Sequence, residues 1–270
     1  MPWRPSQPFA LARRRALGQI LLASGRVYRE NPRLYLTIGT LFLPVSLVVA
    51  GIQQLLFHLT RFGALSDVTG ETNAAVVGTA LTVGLLVAPL ALTIVQAMVA
   101  SSLASAERER ELVPRTAYAT IRQRIRPIMA GLVVVAAVVV LLQLTVVGIP
   151  VGVWLLVRWS LFTQYIVLEN LSWRAGLRRS RELVGGHWFH VAWVTLAVVG
   201  FALLLGPLIG IVLLLATPMS LTGVNLVSGV VYVLTIPYAA LATTYVYYDL
   251  RVRERVEREA LVLPAEAVLD

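Results

Sequence analysis

The chain has 270 residues, 58% of them hydrophobic and only 14% charged, with a mean hydropathy of +0.78. That is more apolar side chain than a soluble domain of this length encloses, so lipid is expected to solvate much of it. The net charge is +9, all 23 basic residues are arginine, and no cysteine is present, which excludes disulfides and thiolate metal sites.

The first 30 residues are basic but lack the apolar run and cleavage site of a signal peptide, so the N-terminus is expected to be retained. Six apolar stretches follow, near 34–56, 74–100, 128–147, 151–168, 191–215 and 224–248. Each is long enough to cross a hydrocarbon layer of about 30 Å. Gly148, Ile149 and Pro150 separate the third from the fourth and are expected to turn a long apolar run into a hairpin.

Arginine sets the orientation, because cytoplasmic loops carry the positive excess. Of the 23, 21 fall in four clusters at 4–33, 108–126, 174–181 and 251–258; only Arg61 lies in an alternate connection, and Arg158 lies inside a span. Both termini should therefore be cytoplasmic, in a multi-pass protein of the plasma (inner) membrane. Charge divided among separate segments is a poor nucleic-acid surface, so the expected partners are membrane lipids, anionic ones above all, and a possible membrane protein.

Each hairpin is preceded by a basic segment with one apolar face: Leu17, Ile20, Leu21, Ser24 and Tyr28 before the first, and Tyr118, Ile121 and Ile125, more weakly, before the second. Trp173, Leu177, Ser180 and Val184 form the third, with Arg174, Arg178, Arg179 and Arg181 pointing elsewhere. These predict helices in the cytoplasmic interface, with Trp173, Trp188 and the arginines in contact with lipid headgroups. The expected fold is an all-α integral membrane protein of six transmembrane helices in three hairpins, each led by an interfacial amphipathic helix. It forms one domain over 1–270, with pseudo-repeat units near 8–104, 105–171 and 172–260 and a short tail at 259–270. LVAP at 86–89, LVRW at 156–159 and LTIP at 234–237 overlay as the repeat's recurring element, and transporter folds often contain such repeats. Shared constraint on membrane helices could produce the same overlay.

Small residues at Ala80, Gly84 and Ala88, and at Gly206 and Gly210, allow close helix approach. Pro44, Pro89, Pro207 and Pro237 free backbone carbonyls inside spans, to be met by neighbouring helices or to line a cavity.

Arg158 is the most informative single residue. With a rise of about 1.5 Å per residue from Val151, it is expected roughly 10 Å inside the apolar layer, where a charge costs about 3 kcal/mol or more unless it faces protein, water or an anion. Trp154, Arg158, Tyr165 and Glu169 share one helical stripe. Arg158 and Glu169 are about 16 Å apart along it and cannot pair. Glu169 is expected to meet a cytoplasmic arginine, from the next interfacial helix or from Arg251 and Arg253. Arg158 is then either a packing device satisfied by carbonyls and aromatic faces or part of an anion site with Gln164, Tyr165 and Glu169, holding a group such as a lipid phosphate.

His187 and His190 in HWFH could share a helix face toward a metal, but no third ligand is evident, and no metal or cofactor is expected. Glu107, Glu109 and Glu111 alternate with arginines as a solvated run. No HExxH, GxSxG or phosphate-binding glycine loop occurs.

LLVRWSLFTQYIVLE at 155–169, AGLRRSRELVGGHW at 175–188, YYDLRVRER at 247–255 and LGQILLASGRVYRENPRLYL at 17–36 carry a resemblance. The chain is similar to the membrane domain that precedes the catalytic barrel in some bacterial glycerophosphodiester phosphodiesterases, and to its stand-alone six-span relatives. By that resemblance Arg158, Glu169, Arg178, Ser180, Gly186, Trp188, Asp249 and Arg251 occupy recurrent polar and aromatic positions. By the same resemblance they are not expected to be catalytic, since hydrolysis in the relatives belongs to the barrel, for which this chain is expected to leave no room. Gly185 with His187 departs from the more basic sequence often seen there.

Three functions follow as expectations. A non-enzymatic module organising lipid or a partner predicts a dry, closely packed bundle. A small transporter or lipid-handling protein predicts a cavity lined by Arg158, Gln164 and Tyr165. An enzyme on phospholipid headgroups requires Glu169, Asp249 and His187 to converge. The first is the reading the sequence favours.

Overall fold

The computed structural model describes residues 16–44, 47, 48, 51, 55, 72–107, 114–145, 147–217 and 221–266. In chain order the elements are α1 (Leu17–Glu30), α2 (Pro32–Gly39), α3 (Thr72–Glu107), α4 (Pro114–Gln143), α5 (Gly148–Trp159), α6 (Phe162–Leu168), α7 (Trp173–Gly185) and α8 (Trp188–Thr195). A π turn (Leu196–Gly200) then leads into α9 (Phe201–Ala216), and α10 (Leu221–Glu266) closes the fold.

All regular structure among the described residues is helical. Five stretches have the length and hydropathy to cross a membrane: Pro89–Ala106, Ile121–Leu142, Gly148–Leu168, Trp188–Leu213 and Leu226–Glu259. This is consistent with a multi-pass membrane protein. Residues 45, 46, 49, 50, 52–54 and 56 of the first expected stretch, with Arg61 and the segment holding Arg108, Glu109, Arg110 and Glu111, lie outside the described residues, as do the side chains of Ala80, Gly84, Ala88 and Tyr118.

Several boundaries differ from expectation. Gly148 to Pro150 do not form the break before the fourth stretch; they are the first turn of α5, where proline's missing N–H has no helical partner to lose. The break falls between Gln143 and Gly148. The Thr145 hydroxyl donates to the Leu142 carbonyl and accepts from the Gly148 N–H, and a Cβ at Gly148 would meet the Leu142 oxygen at 1.8 Å. No separate helix precedes the third stretch, because Ile121 and Ile125 belong to the continuous α4. The fourth stretch is itself interrupted at Ser160 and Leu161, and α10 continues through most of the expected tail to Glu266.

α1 buries Ile20 and Ser24 of its expected face, with Leu17, Leu21 and Tyr28 half-buried, and adds Val27. α7 buries Leu177, Ser180 and Val184 of its expected face, with Trp173 half-buried, and adds Gly176 and Leu183. Asn170, at φ 61°, ends α6 in the left-handed region that asparagine tolerates. Ser172 then caps α7 by accepting from the Ala175 N–H.

The core is organised around α10. From Ala239 to Tyr247 every residue is buried, against Ile20 and Val27 of α1, Tyr35 and Ile38 of α2, Val95 to Leu103 of α3, and Leu161, Tyr165 and Ile166 of α6. Further toward its N-terminus, Leu226, Val230 and Leu234 are exposed, as an apolar surface facing lipid would be.

A neighbouring helix satisfies the carbonyl freed at Pro207, and another packs closely on the one freed at Pro237. Pro207 frees the Leu203 carbonyl, which accepts from the Tyr232 hydroxyl at 3.0 Å. Pro237 frees the Val233 carbonyl, and Gly39 of α2 comes so close that a Cβ there would sit 2.2 Å from that oxygen. Gly206 and Gly210 give α9 its approach to Tyr232, Val224 and Ser228 of α10. Tyr28 donates to the Leu234 carbonyl and Tyr238 to that of Leu21, tying α1 to α10; burial pushes the Tyr28 phenol above its usual pKa.

Candidate functional site

The α5–α6 interruption leaves two backbone groups without helical partners, and Ser180 of α7 takes both. Its hydroxyl donates to the Arg158 carbonyl at 2.8 Å and accepts from the Leu161 N–H at 3.2 Å. Ser180 is fully buried. This joint fixes the backbone from which the Arg158 side chain leaves.

The Arg158 guanidinium stacks on the Trp154 ring, 4.5 Å from its centroid, and lies against the C-terminal end of α7, where a Cβ on Gly185 would meet Nη2 at 2.8 Å. A cation at that end faces the negative pole of the helix dipole. Trp188 closes the cluster by donating from its indole to the Trp154 carbonyl at 3.3 Å. Among the described residues no carboxylate lies within ion-pair distance of Arg158, and its buried Nε has no hydrogen-bond partner. Gly186, the residue after α7, meets nothing within 4 Å of where a Cβ would stand; Gly185 is the constrained glycine.

The stripe of Trp154, Arg158, Tyr165 and Glu169 does not form one site, since the interruption falls in its middle. Tyr165 is buried edge-on against Tyr247, with centroids 5.2 Å apart. Glu169 accepts from the Tyr247 hydroxyl at 2.6 Å and pairs with Arg251 at 3.1 Å. Its arginine therefore comes from α10 and not from α7. Gln164 is fully buried, and neither its Oε1 nor its Nε2 has a partner among the described residues. Arg158 and the Tyr165–Glu169 group are thus two separate places.

At 100° per residue the charged end of α10 has two faces. Tyr247, Arg251, Glu254 and Arg258 share one, where Arg251 bonds Glu254 at 3.0 Å and Arg258 bonds Glu254 at 2.5 Å. With Glu169, Tyr248 and Arg255 they line a cleft of about 530 Å³. Asp249, Arg253 and Glu257 share the opposite face. The fully buried Asp249 accepts from Arg253 at 2.8 Å and lies 3.4 Å from His190, while His187 lies 3.4 Å from Glu257.

The two histidines therefore face different carboxylates, and among the described residues no group of three metal-ligating side chains forms. Glu169, Asp249 and His187, which the enzyme reading needs together, are each engaged elsewhere. Tyr247 was missed by sequence reasoning as a partner of Glu169, and Arg253, expected at Glu169 beside Arg251, pairs with Asp249 instead. A helical wheel over 247–258 contains the signal, but the apolar scan ends at 248.

On α7, Arg174, Arg178, Arg179 and Arg181 are all exposed. Arg178 and Arg179 share Glu182 at 3.8 and 3.5 Å, and Arg174 stacks on Trp173 at 5.0 Å. No known family pattern, no curated protein and no solved structure matches this chain.

Proposed function

We propose that the protein is a non-enzymatic, multi-pass membrane protein of the plasma (inner) membrane. Its apolar hairpins enter from the arginine-bearing, cytoplasmic side, where both termini lie, and it gathers anionic lipid there, directly or for a membrane partner. The observation that carries this is α7. It is docked through Gly176, Leu177, Ser180 and Val184, and it turns Arg174, Arg178, Arg179 and Arg181 outward in one fixed array. Each arginine near an anionic surface contributes about 1 kcal/mol, so an ordered set of four has substantial affinity for such lipid. The resemblance of 155–169 and 175–188 to a phosphodiesterase-associated membrane domain supports the same reading, because those positions are not catalytic there.

The test is native mass spectrometry of the protein from nanodiscs of mixed phosphatidylcholine and phosphatidylglycerol. Replacing the four α7 arginines by glutamine should lower retained phosphatidylglycerol at least tenfold with melting unchanged. Equal retention would reject the reading.

A second reading, lipid handling with a phosphate beside Arg158, is favoured by the unpartnered Nε. It predicts that Arg158→Leu alone removes one tightly retained anionic lipid while the α7 variant keeps it.

A further inference from the structure

Gly148–Leu168 has the length and hydropathy of a bilayer crossing, yet two observations set it apart from α9 and α10. The first is the course of α7, which runs antiparallel beside α5–α6 through successive contacts. Gly176 packs on Ile166 and Phe162, Ser180 bridges Arg158 and Leu161, Gly185 abuts the Arg158 guanidinium, and Trp188 bonds Trp154. Over this length α7 exposes Arg174, Arg178, Arg179, Arg181 and Glu182. Charges so exposed do not sit in hydrocarbon, and long arginine side chains reach only as far as the nearby headgroups. The stretch lying against them is at the same depth.

The second is the angle to α10. Trp154 and Glu169 are about 22 Å apart along the chain at helical rise, so a helix parallel to α10 would meet it at points about 15 residues apart. Instead Glu169 bonds Tyr247 and Arg251, while Trp154 bonds Trp188, next but one to His190, which faces Asp249. The Glu169 end thus contacts α10 directly, while the Trp154 end is held to the start of α8, whose His190 faces Asp249, so both ends of α5–α6 lie near the charged end of α10 and not along its apolar length. By contrast α9 pairs along α10 in order, Ala202 with Thr235, Leu203 with Tyr232 and Gly206 with Ser228. It presents Phe201, Leu204, Leu208 and Leu215 outward, as a true crossing does.

We infer that the α4–α5 hairpin does not cross the bilayer. Its apolar tip, where Val140, Leu141, Leu144, Val147 and Ile149 are exposed, rests among the acyl chains of the leaflet on the arginine side. The charges of α7 beside it meet that leaflet's headgroups. Arg158 then lies at the interface with Trp154 and Trp188, where an arginine on an aromatic face is at home and needs no buried counter-ion. The hairpin acts as a wedge in one leaflet. This placement rests on α8–α9 and α10 crossing the membrane.

Because the chain contains no cysteine, each engineered thiol is the only one. A short polar linker carrying one cysteine is inserted between Leu144 and Thr145, and Thr217→Cys marks the far end of α9. Both proteins are treated with a membrane-impermeant maleimide from each side of oriented vesicles, after gel filtration shows that each is folded. The expected result is that Thr217→Cys reacts only from the far side, whereas the linker cysteine reacts from the arginine side or from neither. Reaction of the linker from the far side would overturn the half-inserted hairpin and leave the lipid-gathering role of α7 intact. Reaction of Thr217→Cys from the arginine side would remove the crossing itself, and the wedge with it.

Discussion

Ser180 holds the backbone of the α5–α6 joint, because its one hydroxyl serves the Arg158 carbonyl and the Leu161 amide together. Removing it strands a buried acceptor and a buried donor, each costing about 1 to 3 kcal/mol. Ser180→Ala is therefore expected to cost roughly 2 to 4 kcal/mol and to lower the melting temperature in detergent by several degrees. Ser105→Ala removes only a bond back to the Ser101 carbonyl within one helix and should change stability by less than about 0.5 kcal/mol. Equal melting of the two variants would show that the α5–α6 joint does not depend on the hydroxyl. The sequence shows Ser180 on the apolar face of an amphipathic segment. Its partners stay hidden, because nothing in a one-dimensional pattern marks the interruption at Ser160 and Leu161. For the same reason the Trp154-to-Glu169 stripe looks continuous on a helical wheel and is divided in the fold.

At the scale of elements, the spacing of Gly206 and Gly210 was legible as a close-packing signal, and it places α9 on α10. A Cβ at Gly206 would stand 2.7 Å from the Tyr232 ring, whose hydroxyl also serves the carbonyl freed by Pro207. Gly206→Ala must therefore displace Tyr232 and lose that bond. The expected net cost is about 1 to 3 kcal/mol, even after the gain in helix propensity that alanine brings. Gly200, in the π turn, has nothing within 4 Å of a Cβ position, so Gly200→Ala should be neutral or stabilising by up to about 1 kcal/mol. Melting of both variants in one detergent checks the pair, and a Gly206→Ala protein as stable as Gly200→Ala would refute the packing. The α10 charges were harder to read. The arginines at 251–258 were read as a topology signal, and that use conceals their other one, because a hydropathy scan stops where the helix does not. Two sets of charges on opposite faces, one toward Glu169 and one toward the histidines, appear only when the helix is continued past Tyr248.

For the whole molecule, apolar periodicity gave the class of fold and most of the apolar stretches, but length and hydropathy do not distinguish a helix that crosses the bilayer from one that lies across its neighbours. The buried centre of α10 lies toward its charged end, with α1, α2, α3 and α6 around it. Stability should accordingly reside on the arginine side more than in the lipid-facing segments, where Leu226, Val230 and Leu234 are exposed. Ending the chain after Leu250 leaves four of the five apolar stretches whole and keeps the apolar part of the fifth, Leu226 to Leu250, so insertion into the membrane should proceed at a normal level. The same truncation removes Arg251 from Glu169 and Arg253 from Asp249, and the latter is a fully buried carboxylate. Removing the partner of a buried charge costs about 3 to 5 kcal/mol when nothing else meets it, and less here, where His190 stays 3.4 Å from Asp249. The truncated protein should therefore accumulate in the membrane yet melt far lower and be cut by protease within α6 and α7, whereas ending the chain after Glu259, beyond these pairs, should leave melting close to the full chain. If the shorter protein melts with the longer one, the charged end of α10 is not a keystone, and the weight of the fold lies within the lipid-facing helices instead.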